Sequence, residues 1–308
     1  MDAVWLIPPV IADDIAGTPP EPVLLASHLA SIRLRTGVAA AAWQRAGQRN
    51  VFVTPDRADA LAQVDFAAAR VCIVGKLFLD VDPAAWIAAC IRAKHAGVRL
   101  VLDICDYPFA EKPPGVVRFY EEALRLADAV TVNSARMAEM MAQHTTQPPQ
   151  TIEDAILAAP RRPEFAPGQG IEQAARNITA SCAPRLEARF TPWSLEATRI
   201  ALRQCDLVLI PGDPADPLKS GVSSNRLAEA LQAGRLPVAS SLASYLPFGD
   251  SAWLGDDLVA GTAWAMAHRG EALARIKRGQ ALVAERLAQE AIGRQWCSLF
   301  QRLAGASA

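Results

Sequence analysis

Short apolar runs alternate with longer helical patterns along almost the whole chain, and this alternation constrains the fold more than any other feature. It is typical of parallel α/β sheets, in which each helix carries the chain back to the start of the next strand. In the first half it predicts strands at 4–10, 50–55, 70–79, 98–106 and 129–134, with a weak sixth at 151–157. Helices are predicted at 24–46, 83–95, 115–127 and 135–143.

Length and a repeated pattern predict two domains. The 308 residues fit roughly two domains of about 150 residues. The segments RLADAVTVNS and RQCDLVLIPG both run from a helix end through an aspartate into an apolar strand. We therefore expect Rossmann-like domains at 1–160 and 161–290, joined near a linker with several prolines and glycines at 159–170. A last helix, at 291–308, is expected to pack back on the first domain.

The second half predicts further elements of the same kind. Helices are expected near 171–181, at 195–203 and from residue 225 onward. Strands are expected at 186–190 and within the runs CDLVLIPGD and LPVASS, and the tail at 257–303 is mostly helical in pattern.

Composition excludes several classes of protein. The net charge of −1 provides no overall field to favour nucleic acid or an anionic membrane surface. No run approaches the ~18 consecutive apolar residues of a membrane span, which leaves only peripheral membrane association open. The first apolar run is broken by Pro8 and Pro9 and indicates a strand, not a signal peptide. With neither a signal peptide nor a membrane span indicated, we expect a cytoplasmic protein. The six scattered cysteines form no CxxC pair and no Cys/His cluster, so we expect most of them to be buried thiols and none to bind a metal.

The run SSNRLAEALQAGRLPVAS predicts a helix start that binds an anion. The helix begins near Asn225, with Lys219 in the loop before it and Arg226 in its first turn. A helix N-terminus has free backbone N–H groups, and neighbouring cations add to their attraction for an anion. Ser223 or Ser224 is expected to cap one N–H group and leave others for a ligand. A diphosphate is the anion that we expect there.

Each of these side chains also has an ordinary structural interpretation. Lys219 could be solvated, and Arg226 could pair with Glu229 one turn further on. Glu229 lies in the second turn of the helix, too far in for the usual capping box. An acid there can accept hydrogen bonds from sugar hydroxyls, or it can be a surface ion-pair partner.

The run VLDICDYPF places two acids at the carboxyl end of a predicted buried strand, where ligands of open α/β sheets bind. Asp103 and Asp106 are therefore candidates to orient an acceptor hydroxyl or to take its proton. The alternative for Asp106 is a loop cap, because it precedes Tyr107 and Pro108. Asp103 is expected to be the more buried of the two and Asp106 the more available.

Three basic residues in the first half are further candidates for ligand contacts. Lys76 follows a predicted strand and is a candidate ligand contact. Arg33 and Arg35 lie two residues apart, so they do not share a helix face, and one is expected to face the ligand while the other is solvated. The chain has no GxSxG, P-loop or GxGxxG motif. It therefore lacks the characteristic motifs of α/β-hydrolases, P-loop kinases and dinucleotide-binding dehydrogenases.

The segments SIRLRTGVAAAAWQRAG, RLADAVTVNSARMAEMM, and CDLVLIPGD through SSNRLAEALQAGRLPVASSLASY resemble glycosyltransferases with the GT-B fold, nearest family 4 of the sugar-nucleotide-dependent enzymes. The resemblance implies two Rossmann-like domains facing across a cleft, with the acceptor on 1–160 and the nucleotide sugar on 161–290. It implies that Lys219 and Arg226 hold the diphosphate and that Glu229 meets the ribose. It also implies no catalytic metal and no cofactor, since the nucleotide sugar is a substrate. The implied acceptor is a glycan, a lipid-linked compound or a small hydroxyl compound.

Two departures from the family pattern stand out. Gly221 occupies the position of a glutamate that usually contacts the donor sugar. The apolar strand that normally opens the second domain is not visible in APGQGIEQAARNITASCAP. We therefore expect a second domain shortened by about one βα unit, judged against the ~30 residues of a βαβ repeat.

Three functional hypotheses follow. The first is a metal-independent glycosyltransferase of cell-envelope or polysaccharide biosynthesis, favoured by the basic loop around Lys219. The second is a catalytically inactive GT-B-like binding subunit of a partner enzyme, favoured by Gly221 and the missing strand. The third is a sugar-nucleotide epimerase on the same architecture.

Overall fold

Two parallel sheets form the framework of the computed structural model, which describes residues 2–78, 80–110, 112–165 and 190–305. The described residues divide into two compact units. The first unit contains residues up to 155, together with 221–223 and 289–305, and the second contains 156–165, 190–220 and 224–288. No helix of the described ranges is long and apolar enough to cross a membrane.

The first unit is built on a six-stranded parallel sheet in the order β2-β1-β3-β4-β5-β6. These strands are β1 (Asp2–Leu6), β2 (Arg49–Val53), β3 (Ala69–Val74), β4 (Arg99–Ile104), β5 (Ala129–Val132) and β6 (Gln150–Thr151). Val4 of β1 pairs with Val51 on one side and Cys72 on the other. The central strands are nearly continuous apolar runs because helices cover both of their faces. The predicted strand at 151–157 contributes only its first residue to the sheet.

Besides a 3-10 turn (Phe66–Ala68) and the final helix, which is described below, eight helical segments of the described residues belong to this unit. They are α1 (Pro9–Asp14), α2 (Pro20–Ala26), a π-helical turn (Ile32–Thr36), α3 (Gly37–Arg45), α4 (Ala58–Ala62), α5 (Pro83–His95), α6 (Pro114–Leu126) and α7 (Ala135–Ala142). The predicted strand at 4–10 was too long, because Pro9 begins α1. The helix predicted at 24–46 is interrupted after α2, where the Ser27 hydroxyl accepts the N–H of Leu29 and replaces helical hydrogen bonding.

The second unit has a three-stranded parallel sheet in the order β7-β8-β9 among its described residues. Its strands are β7 (Leu207–Ile210), β8 (Leu236–Ala239) and β9 (Trp253–Leu254), and its helices are α8 (Leu195–Gln204), α9 (Pro217–Ser220), α10 (Asn225–Gln232), α11 (Leu258–Ala267) and α12 (Arg269–Arg286). Leu236 and Val238 of β8 pack with Ile276 of α12 in its core. The helix predicted near 171–181 and most of the strand predicted at 186–190 lie outside the described residues.

The final helix, α13 (Gln289–Gly305), packs on α3 of the first unit. Phe300 meets the rings of Trp5 and Trp43 edge-on, with centroid distances of 5.8 and 5.3 Å. Gly293 lies against α3 so closely that a Cβ there would be 2.7 Å from the Cβ of Ala42. The edge-on packing of Phe300 and the absence of a side chain at Gly293 together allow α13 to lie close to α3.

Arg35 lies at the centre of a buried ionic network in the first unit. Its Nε and Nη2 donate to the two carboxylate oxygens of Asp103 at 2.7 and 2.6 Å, and its Nη1 donates to Asp154 Oδ1 at 2.7 Å. Nη1 also donates to the carbonyl of Ile152 at 2.8 Å, and the guanidinium lies 5.3 Å from the ring centroid of Trp296. Arg35 is 1% exposed. Burial lowers the pKa of Arg35, but the two carboxylates raise it by more, so the guanidinium stays charged.

This network corrects two expectations. The Asp103 carboxylate, expected to serve an acceptor, has both oxygens bonded to Arg35, and Oδ1 also accepts the Thr131 hydroxyl at 2.7 Å. It is therefore a structural partner of Arg35, because its lone pairs are engaged below the surface. Neither expected arginine is solvated: Arg33 is also buried and donates to the carbonyl of Ser27 at 2.7 Å.

Replacing Arg35 tests how much the network contributes to the stability of the first unit. Arg35→Met leaves two carboxylates buried without their cation, so we expect the first unit to lose about 3–5 kcal/mol of its free energy of unfolding. Arg45→Met is the control, because the Arg45 pair with Glu290, at 3.8 Å, is exposed at both side chains and should contribute about 1 kcal/mol or less. Urea denaturation followed by circular dichroism measures both, and equal losses would contradict the assignment.

Gly234 ends α10 with a left-handed φ of +77°. A Cβ at this position would collide with the backbone carbonyl of Arg162. Gly47 has a similar φ of +75°, but a Cβ there would meet nothing within 4 Å. Gly47→Ala should therefore cost about 1–2 kcal/mol from the backbone conformation alone. Gly234→Ala should add the overlap and reach about 3 kcal/mol or more. Denaturation curves that show equal costs would exclude the close approach.

Candidate functional site

A pocket of about 450 Å³ lies in the second unit, beyond the carboxyl ends of all three strands β7, β8 and β9. We call it the β7–β9 pocket. Its lining includes Asp213, Lys219, Arg226, Ser240, Leu242 and Asp256. The position follows from the topology, because parallel strands end together at one edge of a sheet and their loops form the ligand sites of open α/β folds.

Lys219 and Arg226 bring two cations to the β7–β9 pocket from successive helices. Lys219 belongs to α9, Arg226 lies in the first turn of α10, and both side chains are exposed. Arg226 is also close to the buried phenol of Tyr245. Burial raises the pKa of Tyr245, and the nearby positive charge of Arg226 partly opposes that rise. The pocket therefore presents two accessible positive charges to a ligand, beside the carboxylates of Asp213, Asp216 and Asp256.

The carboxylates of the pocket are partly turned towards the backbone. Asp213 Oδ1 accepts the N–H of Ala215, and Asp216 Oδ1 accepts the N–H of Leu218, each at 2.8 Å. Both are loop caps that shape the chain before α9. The loop after β7 is held at the end of β8, because the N–H of Gly212 donates to the Ser240 hydroxyl at 3.0 Å. These bonds hold the loop that leads into α9, on which Lys219 lies.

The start of α10 differs from the expectation in one respect. Ser224 occupies the N-cap position with φ −79° and ψ 7°, but its side chain makes no capping hydrogen bond. Asn225 is the first residue of the helix, and Ser223 belongs to the segment grouped with the first unit. The Ser224 hydroxyl therefore does not accept a backbone N–H of the first turn of α10. That N–H group can donate to another acceptor. Among the described lining residues of the pocket, Ser223, Ser224, Asn225 and Glu229 do not occur.

Gly221 is fixed by packing within the first unit. Its carbonyl accepts the Ser134 hydroxyl at 2.9 Å, and the same hydroxyl caps α7 by accepting the N–H of Met137. A Cβ at Gly221 would lie 2.9 Å from Met137 Cε and 3.2 Å from Met140 Sδ. A glutamate side chain would require both methionines to repack. The absence of an acid at this position is therefore consistent with the local packing.

Asp106 lies in a different pocket, of about 340 Å³, at the carboxyl ends of β3 and β4. We call it the β3–β4 pocket; its lining includes Lys76, Phe78, Asp80, Asp106, Lys112 and Tyr120. Asp106 forms an ion pair with Lys76, and both side chains are partly exposed. Burial lowers the pKa of Lys76, but Asp106 raises it by more, so the amine stays charged. Of the two predicted acids, Asp106 is thus the accessible one.

Several pocket residues were not predicted. Phe78, Lys112 and Tyr120 line the β3–β4 pocket, and the Tyr120 hydroxyl accepts the N–H of Leu77 at 3.1 Å. Asp256 lines the β7–β9 pocket directly after β9. Phe78 and Asp256 follow strand ends, whereas Lys112 precedes α6 and Tyr120 lies within it. The sequence did not indicate Asp256, because β9 is only two residues long and has no alternating pattern.

The described ranges contain no group of three or more His, Cys, Asp or Glu side chains that could hold a metal ion. The expectation of metal-independent chemistry is not tested by this finding and stays a prediction.

Comparison with known proteins identifies the fold. No protein-family model matches the chain, and no curated protein matches it. Among solved structures, Anabaena HepE in complex with UDP has a TM-score of 0.55 at 13% identity, covering 98% of this chain and 100% of that one. A glycosyltransferase from Rickettsia africae has a TM-score of 0.55 at 9% identity and covers 99% of both chains. AviGT4, a glycosyltransferase involved in avilamycin A biosynthesis, has a TM-score of 0.51 at 11% identity, covering 100% of this chain and 99% of that one.

These likenesses extend over essentially the full length of each protein and agree with the two parallel sheets. They confirm the predicted α/β fold class. The chain has the GT-B glycosyltransferase fold, with two Rossmann-like domains.

Proposed function

We propose that the protein is a glycosyltransferase that moves a sugar from a nucleotide-sugar donor to a hydroxyl acceptor. The observation that carries the proposal is the β7–β9 pocket, in which Lys219 and Arg226 lie beyond the strand ends of a GT-B fold. HepE, which shares this fold, has been solved with UDP, with UDP-glucose, and with UDP and glucose. A nucleoside diphosphate is the ligand class that two adjacent cations and a helix start suit best.

In this mechanism the bond between the anomeric carbon of the sugar and the diphosphate oxygen breaks, and the acceptor oxygen forms the new bond to that carbon. Lys219 and Arg226 stabilise the negative charge that develops on the leaving diphosphate. The partial positive charges of the N–H groups at the start of α10 stabilise the same negative charge. These side chains provide the neutralising charge, and we therefore infer that the reaction is metal-independent. Glu229, partly buried in the second turn of α10, is assigned to the ribose hydroxyls.

The β3–β4 pocket is assigned to the acceptor. Asp106 can accept the proton that the acceptor hydroxyl releases as its oxygen bonds to the sugar. Lys76, paired with Asp106, holds the carboxylate in place. The ring of Phe78 and the hydroxyl of Tyr120 supply one apolar and one polar wall. A glycan, lipid-linked or small hydroxyl acceptor of cytoplasmic cell-envelope or polysaccharide assembly fits this chemistry.

A catalytically inactive binding subunit is the alternative, and Gly221 favours it. The position of the sugar-contacting glutamate is filled by packing against Met137 and Met140. Such a subunit would bind the nucleotide through the same cations without releasing nucleoside diphosphate from a nucleotide sugar. Turnover separates the two functions, whereas binding does not.

Removing one cation tests the donor site. We expect Lys219→Ala to weaken binding of the preferred nucleoside diphosphate about tenfold, because a charge-assisted contact to the ligand contributes about 1.5 kcal/mol or more. Lys277→Ala, an exposed lysine on α12, is the control and should bind like the unchanged protein. Isothermal titration with UDP, GDP, ADP, CMP and dTDP, with and without divalent metal, measures both. Equal affinities for the two variants would remove Lys219 from the site.

Replacing the accessible acid tests the acceptor site. Asp106→Asn keeps the shape of the side chain but cannot take a proton, so we expect kcat for transfer to fall about 100-fold or more. The Kd for the nucleotide should not change. Asp59→Asn, an exposed acid on α4, is the control. The readout is nucleoside diphosphate release with a panel of sugar nucleotides and hydroxyl acceptors. No release by the unchanged protein with any pair would favour the binding subunit, and full activity of Asp106→Asn would refute the role of Asp106.

A further inference from the structure

A second cavity lies at the opposite edge of the first unit's sheet, where β4, β5 and β6 begin. Its volume is about 450 Å³, which is within the usual range of small-molecule sites, ~300–1,000 Å³. Its lining includes Arg99, Asp128, Thr145, Gln150, Leu299 and Arg302. We call it the basal cavity. None of these residues belongs to the β7–β9 pocket or the β3–β4 pocket.

The basal cavity carries an excess of positive charge. Its aspartate, Asp128, is bonded by Lys94 Nζ at 2.5 Å and by Arg99 Nη1 at 3.1 Å. Burial raises the pKa of Asp128, but these cations and the N–H of Leu100 lower it by more, so the carboxylate is ionised. Arg302 is the second arginine of the lining. Two arginines and one aspartate therefore line the cavity, and that aspartate is already paired.

Arg302 is bonded to neutral groups only. Its Nη1 donates to the Ser298 hydroxyl at 3.0 Å, and its Nη2 donates to Gln150 Oε1 at 2.7 Å. Within the described parts of the chain no carboxylate pairs with this guanidinium. The two bonds hold the side chain at the cavity and leave further N–H donors of the guanidinium for an acceptor.

Thr145 supplies an independent indication of a ligand. Its hydroxyl Oγ1 is buried and has no hydrogen-bond partner among the described residues. Buried polar groups are nearly always satisfied by protein, water or a ligand. Gln150 uses its amide oxygen on Arg302, so its amide nitrogen remains as a donor on the same wall. The cavity therefore combines an unsatisfied hydroxyl, an amide donor and an uncompensated guanidinium.

We propose that the basal cavity binds a phosphorylated small molecule. The phosphate oxygens accept hydrogen bonds from Arg302, from Thr145 and from the amide of Gln150. The remainder of the ligand lies against the apolar wall formed by Leu124, Leu299 and Leu303. A phosphate alone would leave much of the cavity empty, so a phosphate ester of sugar size suits it better. The site is independent of the proposed nucleotide-sugar donor.

Titration of the full chain with inorganic phosphate and with a hexose monophosphate tests the proposal. We expect saturable binding of both, with the ester binding more tightly, and a loss of about tenfold or more in Arg302→Ala. Arg294→Ala is the matched control, because Arg294 is an exposed arginine on the same helix. A saturating nucleoside diphosphate should not displace the hexose monophosphate, which separates this cavity from the β7–β9 pocket. No saturable binding, or equal losses in Arg302→Ala and Arg294→Ala, would overturn the proposal.

Thr145→Val gives a second measurement that does not depend on the charge of Arg302. The valine keeps the shape of threonine and removes the unsatisfied hydroxyl. We expect the ligand-free variant to melt at a higher temperature than the unchanged protein, since an unpaired buried polar group is lost. Its affinity for the hexose monophosphate should fall several-fold. Unchanged affinity would show that the hydroxyl does not meet the ligand and would overturn its assignment.

Discussion

The guanidinium of Arg35 is held between two buried carboxylates, and the first unit depends on that contact. Asp103 belongs to β4, Asp154 and Ile152 lie after β6, Arg35 lies in the π-helical turn, and Trp296 lies on α13. One side chain therefore connects the middle of the sheet, the segment after its last strand and the final helix. Buried charges are costly to desolvate, and this set is tolerable because every N–H that faces a carboxylate is used in short, charge-assisted bonds.

Regular elements with strong local signals were predicted well from the sequence. The helix predicted at 83–95 has these bounds in the structure, because Asp82 caps it and Pro83 occupies its first turn. The interruption of the helix predicted at 24–46 was not predicted, because the segment contains no proline or other strong local stop signal at Ser27 or at the π-helical turn. The π-helical turn places both Arg33 and Arg35 inside the unit. The two side chains need not share a face to be buried, because all five residues of the π-helical turn are buried.

In the candidate sites, too, groups of residues that are close in the sequence could be predicted, whereas contacts between distant segments could not. Lys219 and Arg226 could be expected to lie near each other from the sequence, because loop, cation and helix start follow one another along the chain, and their role in binding stays a prediction. The ion pair of Asp103 was not predicted because Arg35 comes from a distant segment. The basal cavity gave no signal at all. It combines strand beginnings, a loop and the final helix, each unremarkable in its own stretch of sequence.

The place of α13 has a consequence for how the protein is made. This helix supplies Phe300 to the rings of Trp5 and Trp43, and Trp296 to the guanidinium of Arg35. A ribosome synthesises it only after the whole of the second unit, so the first unit emerges with an aromatic cavity and an uncovered charge cluster. Domains generally fold in the order in which they are synthesised, but the first unit is complete only once its last helix has been made. Until then Trp5, Trp43 and Arg35 lack the aromatic contacts that α13 provides.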